Sequence, residues 1–435
     1  MSFKTGNLTK SRQQAGIDRR QFVKLAGAGA LAAGSGILAA PAVHAAKSVR
    51  IGFVSPQTGP ISFFADPDQY ILGQMAKVFA DGVKIGGKSY PVEIITKDSQ
   101  SNPNRAAEVA AGLILGDEVD LLVAANTPVT TNPVADQAEL NGVPCITTDT
   151  PWQPHFFGRR GDPKTGFEWT SHFFWGLEDV VEVYTNLWNS LDSNKSVGAL
   201  FPNDEDGNAW GGEHGFPPVL KAQGYALADP GRYQPFSDDF TAQIAAFKAA
   251  DCQIVTGVVP PPDFTNFWLQ AGQQNFHPKM VTVGKALEWP ATAAALGERA
   301  DGLSVEVWWS PAHPFSSGMT GQSSKDLADG FTQATGKPWN VSVGFKHALF
   351  EVAYDVLKRA EEKSPEAIRD AIRATDYKSI VGEVNFSKGP VPGVGKTPLV
   401  GGQWQKNAKG GHDLMIVNNK SAPFVPVNAE FRPMA

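Results

Sequence analysis

Aromatic and charged residues gather in this chain where apolar runs give way to polar loops. Their types suit ligand capture better than bond breaking. Trp152 and Trp210 sit in Gly/Pro-rich loops after apolar runs, and Phe264, Trp289, Trp308 and Trp309 fall at further strand-to-loop points. A crowd of aromatics, Trp152, Phe156, Phe157, Trp169, Phe173, Phe174 and Trp175, fills one interval. Indole faces offer stacking surface to a flat or apolar molecule, although core packing is the default role of Trp and Phe. His155, Arg159, Arg160 and Lys285 lie near these loops and could hold a carboxylate. Solvated loop cations are the plainer role for them.

Other stretches mimic catalytic or metal-binding motifs and fail on chemistry. Pro202–Glu213 places Asp204, Asp206, Gly207 and Glu213 at calcium-loop spacing, but the opening aspartate is Pro202. Gly389–Thr397 resembles a phosphate loop, yet Pro390 replaces the first glycine and Pro398 blocks the helix that should follow. The eight histidines form no HExxH and no helical pair. No G-x-S-x-G elbow and no haem, iron–sulfur or flavin motif is present. The expectation is therefore no catalytic residue, no metal and no cofactor. A secreted hydrolase using Glu213, His214 or Glu288 is the alternative from another class, and a sensory receptor lobe is a third.

The elements that would position these residues alternate in type. Val49–Val54, Val92–Thr96, Leu121–Ala125 and Cys145–Thr147 read as strands. Helical spacing marks Tyr70–Asp81, Arg105–Leu115 and Asn132–Leu140 between them. Residues 150–176 carry no clean period. Alternation then resumes: helix Asp179–Leu191, strand Val197–Phe201, helix Gly215–Ala222, strand Ile254–Val259, helix Phe264–Gly272 and strand Met280–Val283. Val305–Pro311 suggests a return crossing, and helices Val343–Glu361 and Pro365–Ala374 return to the first lobe. Asn385–Pro398 reads as a Gly/Pro loop, and Asp413–Val417 as a strand on the second lobe. Such alternation predicts an α/β fold of two doubly wound parallel-sheet lobes. The expected division is 46–172 plus 309–398 for lobe 1 and 173–308 plus 399–435 for lobe 2.

At the N-terminus, Asp18-Arg19-Arg20-Gln21-Phe22-Val23-Lys24 leads into the weakly apolar run Leu25–Ala40, then Val43-His44-Ala45. This is the pattern of a twin-arginine export signal over residues 1–45, and it predicts a periplasmic mature chain. The whole chain has 38 Lys+Arg against 44 Asp+Glu. Residues 1–45 hold six bases and one acid, so the remainder has 32 against 43, a net charge of −11. An acidic body without basic runs argues against nucleic acid as partner. No later run approaches membrane-spanning length, so no membrane insertion of the mature protein is expected. Cys145 and Cys252 border different apolar runs and are expected as separate buried thiols.

In order, several segments resemble the Leu/Ile/Val (branched-chain amino acid) binding family of extracellular substrate-binding proteins of ABC importers. They are Val49–Pro60 with its Thr58-Gly59-Pro60 loop, Lys97–Pro103, Asn141–Ile146 and Asp204–Gly212 with Trp210-Gly211. The resemblance covers nearly all of the mature chain. It implies a type I periplasmic binding protein fold, a Venus-flytrap of two lobes joined by a three-strand hinge. By the same resemblance, first-lobe ligand residues map to Phe63, Phe64, Thr127, Thr130, Thr131, Thr150 and Trp152. Second-lobe residues map to Trp210, Phe264, Lys285 and Glu288. The family's second-lobe acid is replaced by Lys285-Ala286, with Glu288 displaced, which favours an aromatic or apolar carboxylate. A branched-chain amino acid or an amide is the alternative on the same fold. The implied partners are a small-molecule ligand and a membrane ABC permease, with the receptor itself a monomer.

Overall fold

The computed structural model describes residues 48–434, so the export signal expected over 1–45 lies outside the described residues. Leu121–Ala125, Ile254–Val259 and Met280–Lys285 are buried at every position. That is how strands read when helices cover both faces of a parallel sheet. Six parallel strands form the first sheet, in the spatial order 394–395, 170–173, 145–148, 121–125, 49–55 and 92–98. The second runs 412–418, 400–406, 304–307, 280–285, 254–259, 196–200 and 226–228. Its last five strands are parallel, and the two C-terminal strands add to them antiparallel.

In each sheet the earliest strand lies between the second and the third. Winding outward in both directions opens a crevice beyond the strand C-termini at that point. The fold is α/β with two doubly wound parallel-sheet lobes. Strand Thr170–Phe173 belongs to the first sheet, and helix Leu177–Trp188 packs on the second. Strand Ser304–Val307 lies in the second sheet, and helix Ser342–Arg359 packs on the first. A third crossing separates Val394–Gly395 from Val400–Lys406.

Local chemistry explains where the elements begin. Asn102 accepts from Arg105 N at 3.0 Å and Pro103 opens helix Pro103–Leu115, the cap-and-proline start expected of a helix. Several stretches differ from the sequence reading. Residues 150–176 hold a short helix, Trp152–Phe156, and the strand Thr170–Phe173. The Gly/Pro loop contains Val394–Gly395, paired with His172 and Phe173. Helices Glu205–Trp210, Thr241–Ala249 and Ser324–Thr335 were not marked by spacing. Cys145 and Cys252 are both free and buried, and burial pushes the Cys145 thiol up to about 12.

Candidate functional site

The lobes meet over a cavity of about 20 Å³ bounded by the C-terminal ends of strands from both sheets. Asn132 Nδ2 of the first lobe donates to Glu205 Oε2 of the second at 2.8 Å, and Phe157 stacks on His214 with ring centroids 5.5 Å apart. Phe64 meets Trp289 at 5.1 Å. The space left between the walls suffices for about one water and is too small for an organic solute.

The walls are aromatic. Trp175 lies 6.5 Å from Trp210 and 6.3 Å from Trp308; Phe174 meets Trp308 edge-on at 5.0 Å, and Phe64 stacks on it at 6.4 Å. Packing places two of these groups closely. A Cβ at Gly284 would stand 2.6 Å from Glu306 Oε1 and 2.8 Å from the Trp210 ring, so only glycine fits there.

The charged groups come from strand ends. Asp149 follows strand Cys145–Thr148, and Lys285 closes strand Met280–Lys285; both have positive φ, 65° and 63°. Non-glycine residues in that conformation concentrate at functional sites. Asp149 Oδ2 accepts from Ser342 Oγ at 2.8 Å, and burial pushes its carboxyl up to about 7. Behind it Lys346, fully buried, donates to Ala125 O at 2.6 Å and stands 3.4 Å from Asp68 Oδ1. Across the cavity Lys285 Nζ pairs with Asp206 Oδ2 at 2.6 Å and lies 3.7 Å from Asp204 Oδ2. Glu288 Oε1 accepts from Lys285 N at 3.1 Å, and Tyr184 donates to Glu306. The Glu288 and Glu306 carboxyls are neighbours, Glu306 raising the proton affinity of Glu288, and Glu288 Oε2 has no hydrogen-bond partner. Two buried carboxyls that share a site cannot both ionise freely, so at least one of them is pushed toward its protonated form. Burial pushes Glu306 up to about 7 and raises Glu288 well above the usual carboxylate range.

Buried polar atoms without partners concentrate here. Thr127 Oγ1, Asp149 Oδ1, Asp206 Oδ1 and the indole nitrogens of Trp175, Trp210 and Trp308 all lack one, and all belong to cavity-lining residues. Buried polar groups are normally satisfied. A ligand that offers both donors and acceptors would satisfy these.

The structure brings five of the expected site residues to this cavity: Phe64, Thr127, Trp210, Lys285 and Glu288. The others stand elsewhere. Phe63 packs on Trp289 at 5.0 Å beside the cavity. Thr130, Thr131 and Thr150 bond to Asn126 and fix the loop that carries Thr127. Trp152 donates to Glu178 Oε1 at 3.1 Å and packs against Phe156 and Phe157 in a separate cluster. Phe264 is core, stacked on Trp268. Arg159 pairs with Asp136 at 2.7 Å, His155 bonds to Asn132 at 2.9 Å, and neither lines the cavity.

The acids of the calcium-like loop have other partners: Asp204 caps the helix by accepting from Gly207 N at 2.8 Å, and Asp206 pairs with Lys285. Among the described residues no group of three or more His, Cys, Asp or Glu side chains is arranged to hold a metal. One expectation needs correcting. Lys285 is not a cation awaiting a carboxylate, because Asp206 and Asp204 already neutralise it. Sequence reasoning passed over Asp149 and Glu306. The signal for Glu306 was a lone charge inside Val305-Glu306-Val307.

A family model described as periplasmic binding protein matches residues 48–409. The chain belongs to the periplasmic binding protein family. Members of this family are solute-binding receptors rather than a class of enzymes. Solved structures share the fold at low identity. A leucine binding protein from Thermotoga maritima MSB8 matches with TM-score 0.70 and 18% identity, over 86% of this chain and 99% of that one. A solute binding protein of an ABC transporter from Rhodopseudomonas palustris BisB5, in complex with 3,4-dihydroxy benzoic acid, matches with TM-score 0.68 and 17% identity, over 88% and 98%. Another from R. palustris, in complex with 4-hydroxybenzoate, matches with TM-score 0.70 and 14% identity, over 89% and 97%. At these identities the likeness is one of fold. Among the described residues no helix is long and apolar enough to cross a membrane.

Proposed function

We propose that this periplasmic binding protein is a monomeric solute receptor, exported by the twin-arginine route, that delivers a small organic ligand to an ABC permease and does not alter it. The observation that carries the reading is the set of unpartnered buried polar atoms on an aromatic cavity between two hinged sheets. We assign residues 46–172 and 309–398 to one lobe and 173–308 and 399–435 to the other. Closure is driven by contacts that the ligand makes with both walls, since only a higher affinity for the closed state shifts the population. The expected affinity is micromolar or tighter, about −8 kcal/mol.

A second reading takes the ligand to be an aromatic carboxylate, and the similarity to two structures that hold hydroxylated benzoates favours it. The Lys285–Asp206 pair weighs against it. An amino acid or amide is a further option on the same fold. A thermal-shift screen of the purified chain against mixed metabolites, followed by calorimetry, tests the receptor reading, because a ligand that binds only the folded form raises its midpoint. A saturable ligand recovered with unchanged mass is the expected result. Silence to every solute, or recovery of an altered compound, would overturn it.

A further inference from the structure

The charge around the cavity is unbalanced. Asp68 and Asp149 face it or stand behind it in the first lobe with Lys346, and Asp204, Asp206, Glu288 and Glu306 do so in the second with Lys285. Both ammonium groups are already engaged: Lys346 with Ala125 O and Asp68, and Lys285 with Asp206 and Asp204. The acids exceed the bases even with Glu288 protonated. An incoming carboxylate would add to this surplus, whereas a cation would relieve it. Three indoles and two phenyl rings complete the walls, and the face of an aromatic ring attracts a positive charge.

Resting on the receptor reading above, we propose that the ligand carries a positively charged ammonium head, held among Trp175, Trp210 and Trp308 and opposite the carboxyls of Asp149, Glu288 and Glu306. The unpartnered oxygens Asp149 Oδ1 and Asp206 Oδ1 await donors or positive charge. The unpartnered indole N–H groups call for an acceptor elsewhere on the ligand, such as a hydroxyl or ether oxygen.

Binding such a head has a proton consequence. The groups facing Asp149 are Ser342, Lys346 and Asp68; those facing the Glu288–Glu306 pair are Tyr184, Lys285 and Asp206. Desolvation keeps these carboxyls partly protonated near neutrality, and a cation beside them expels the proton. Cation affinity therefore rises with pH through about 7, by at most tenfold per pH unit for each proton released. An anionic ligand would show the reverse slope.

The test is calorimetry of the purified chain at pH 6 and pH 8 with choline and tyramine as cations, 4-hydroxybenzoate as anion, benzamide as neutral solute and leucine as zwitterion. The expected result is that a cation binds at least tenfold tighter than the anion and the neutral solute, and tighter at pH 8. Glu306→Gln, which keeps an acceptor for Tyr184, should weaken cation binding at least tenfold and flatten its pH slope. If that variant does not fold, Asp149→Asn supplies the same readout. Tighter binding of 4-hydroxybenzoate, benzamide or leucine than of any cation would overturn the cation assignment and leave the receptor reading standing. Silence from both cations would also overturn it. Silence from the whole panel and from the metabolite screen would remove the receptor reading as well.

Discussion

Asp149 and Lys285 occupy equivalent places in the two lobes, each at the end of a buried parallel strand and each at positive φ, yet the walls around them are built differently. In the first lobe the polar groups are tied to backbone and hydroxyls. Ser55 Oγ donates to Asp68 at 2.5 Å, Lys346 reaches Ala125 O, and Ser342 holds Asp149. In the second lobe carboxyls face carboxyls, and burial beside Glu306 favours the protonated form of Glu288. The first wall is a fixed platform. Ligand charge is read on both, at Asp149 in the first and at Glu288 and Glu306 in the second, each carboxyl raised by burial.

The comparison breaks most severely at Trp210, buried among Trp175, Tyr184 and Phe216. Trp210→Ala should cost about 3–5 kcal/mol of stability, read from urea unfolding, and should abolish ligand binding. Gly284→Ala acts on the same wall by overpacking: the new methyl meets Glu306 and the Trp210 ring. A stability loss of about 1–3 kcal/mol is expected, with binding weakened tenfold or more by calorimetry. On the first wall Ser342→Ala leaves Asp149 without its donor and should cost about 1–3 kcal/mol; that bond lowers the Asp149 carboxyl, so its loss should move the pH slope of ligand affinity to higher pH. A slope that stays where it was in that variant would remove Asp149 from the groups that read ligand charge.

Stability without ligand sharpens the same point. Asp149 and Glu306 titrate near 7 in the folded chain, against ordinary values of 3.8 and 4.5. The folded state thus keeps protons that the unfolded chain has lost, and stability falls as pH rises toward 7. His172 and His313, buried and held neutral down to about 3, act in the opposite sense. They do so only below about 6.5, where the unfolded chain gains its histidine protons. Between about pH 6.5 and 8 these carboxyls dominate, so the thermal midpoint should fall across that window, and less steeply in Asp149→Asn. A midpoint that rises there would contradict the assignment. The smallest effect is expected from Asn132→Ala, which removes the hydrogen bond to Glu205 across the lobes. It should weaken ligand affinity only severalfold, about 0.5–1.5 kcal/mol.

Much of this was legible in the chain because parallel strands buried on both faces are continuous apolar runs. Leu121–Ala125 and Ile254–Val259 were read to the residue. Helix Thr241–Ala249 was not, since its apolar residues follow no clear helical face, and Trp152–Phe156 is too short to show one. At the site, Phe64, Thr127, Trp210, Lys285 and Glu288 line one cavity, whereas Trp152 and Phe264, mapped through the family resemblance, pack outside it. What sequence could not supply was the partner of each charge. Asp206 lies far from Lys285 in the chain, and only the folded backbone brings them to 2.6 Å.

The central claim is that a solute sits, unaltered, between the two sheets. A crystal structure with the strongest thermal-shift ligand tests it most directly. The ligand should lie among Trp175, Trp210 and Trp308 with an ammonium head toward Asp149 and the Glu288–Glu306 pair. Density for it in the groove of about 490 Å³ beside Trp339 and Trp404, or density for a chemically altered product, would contradict the account.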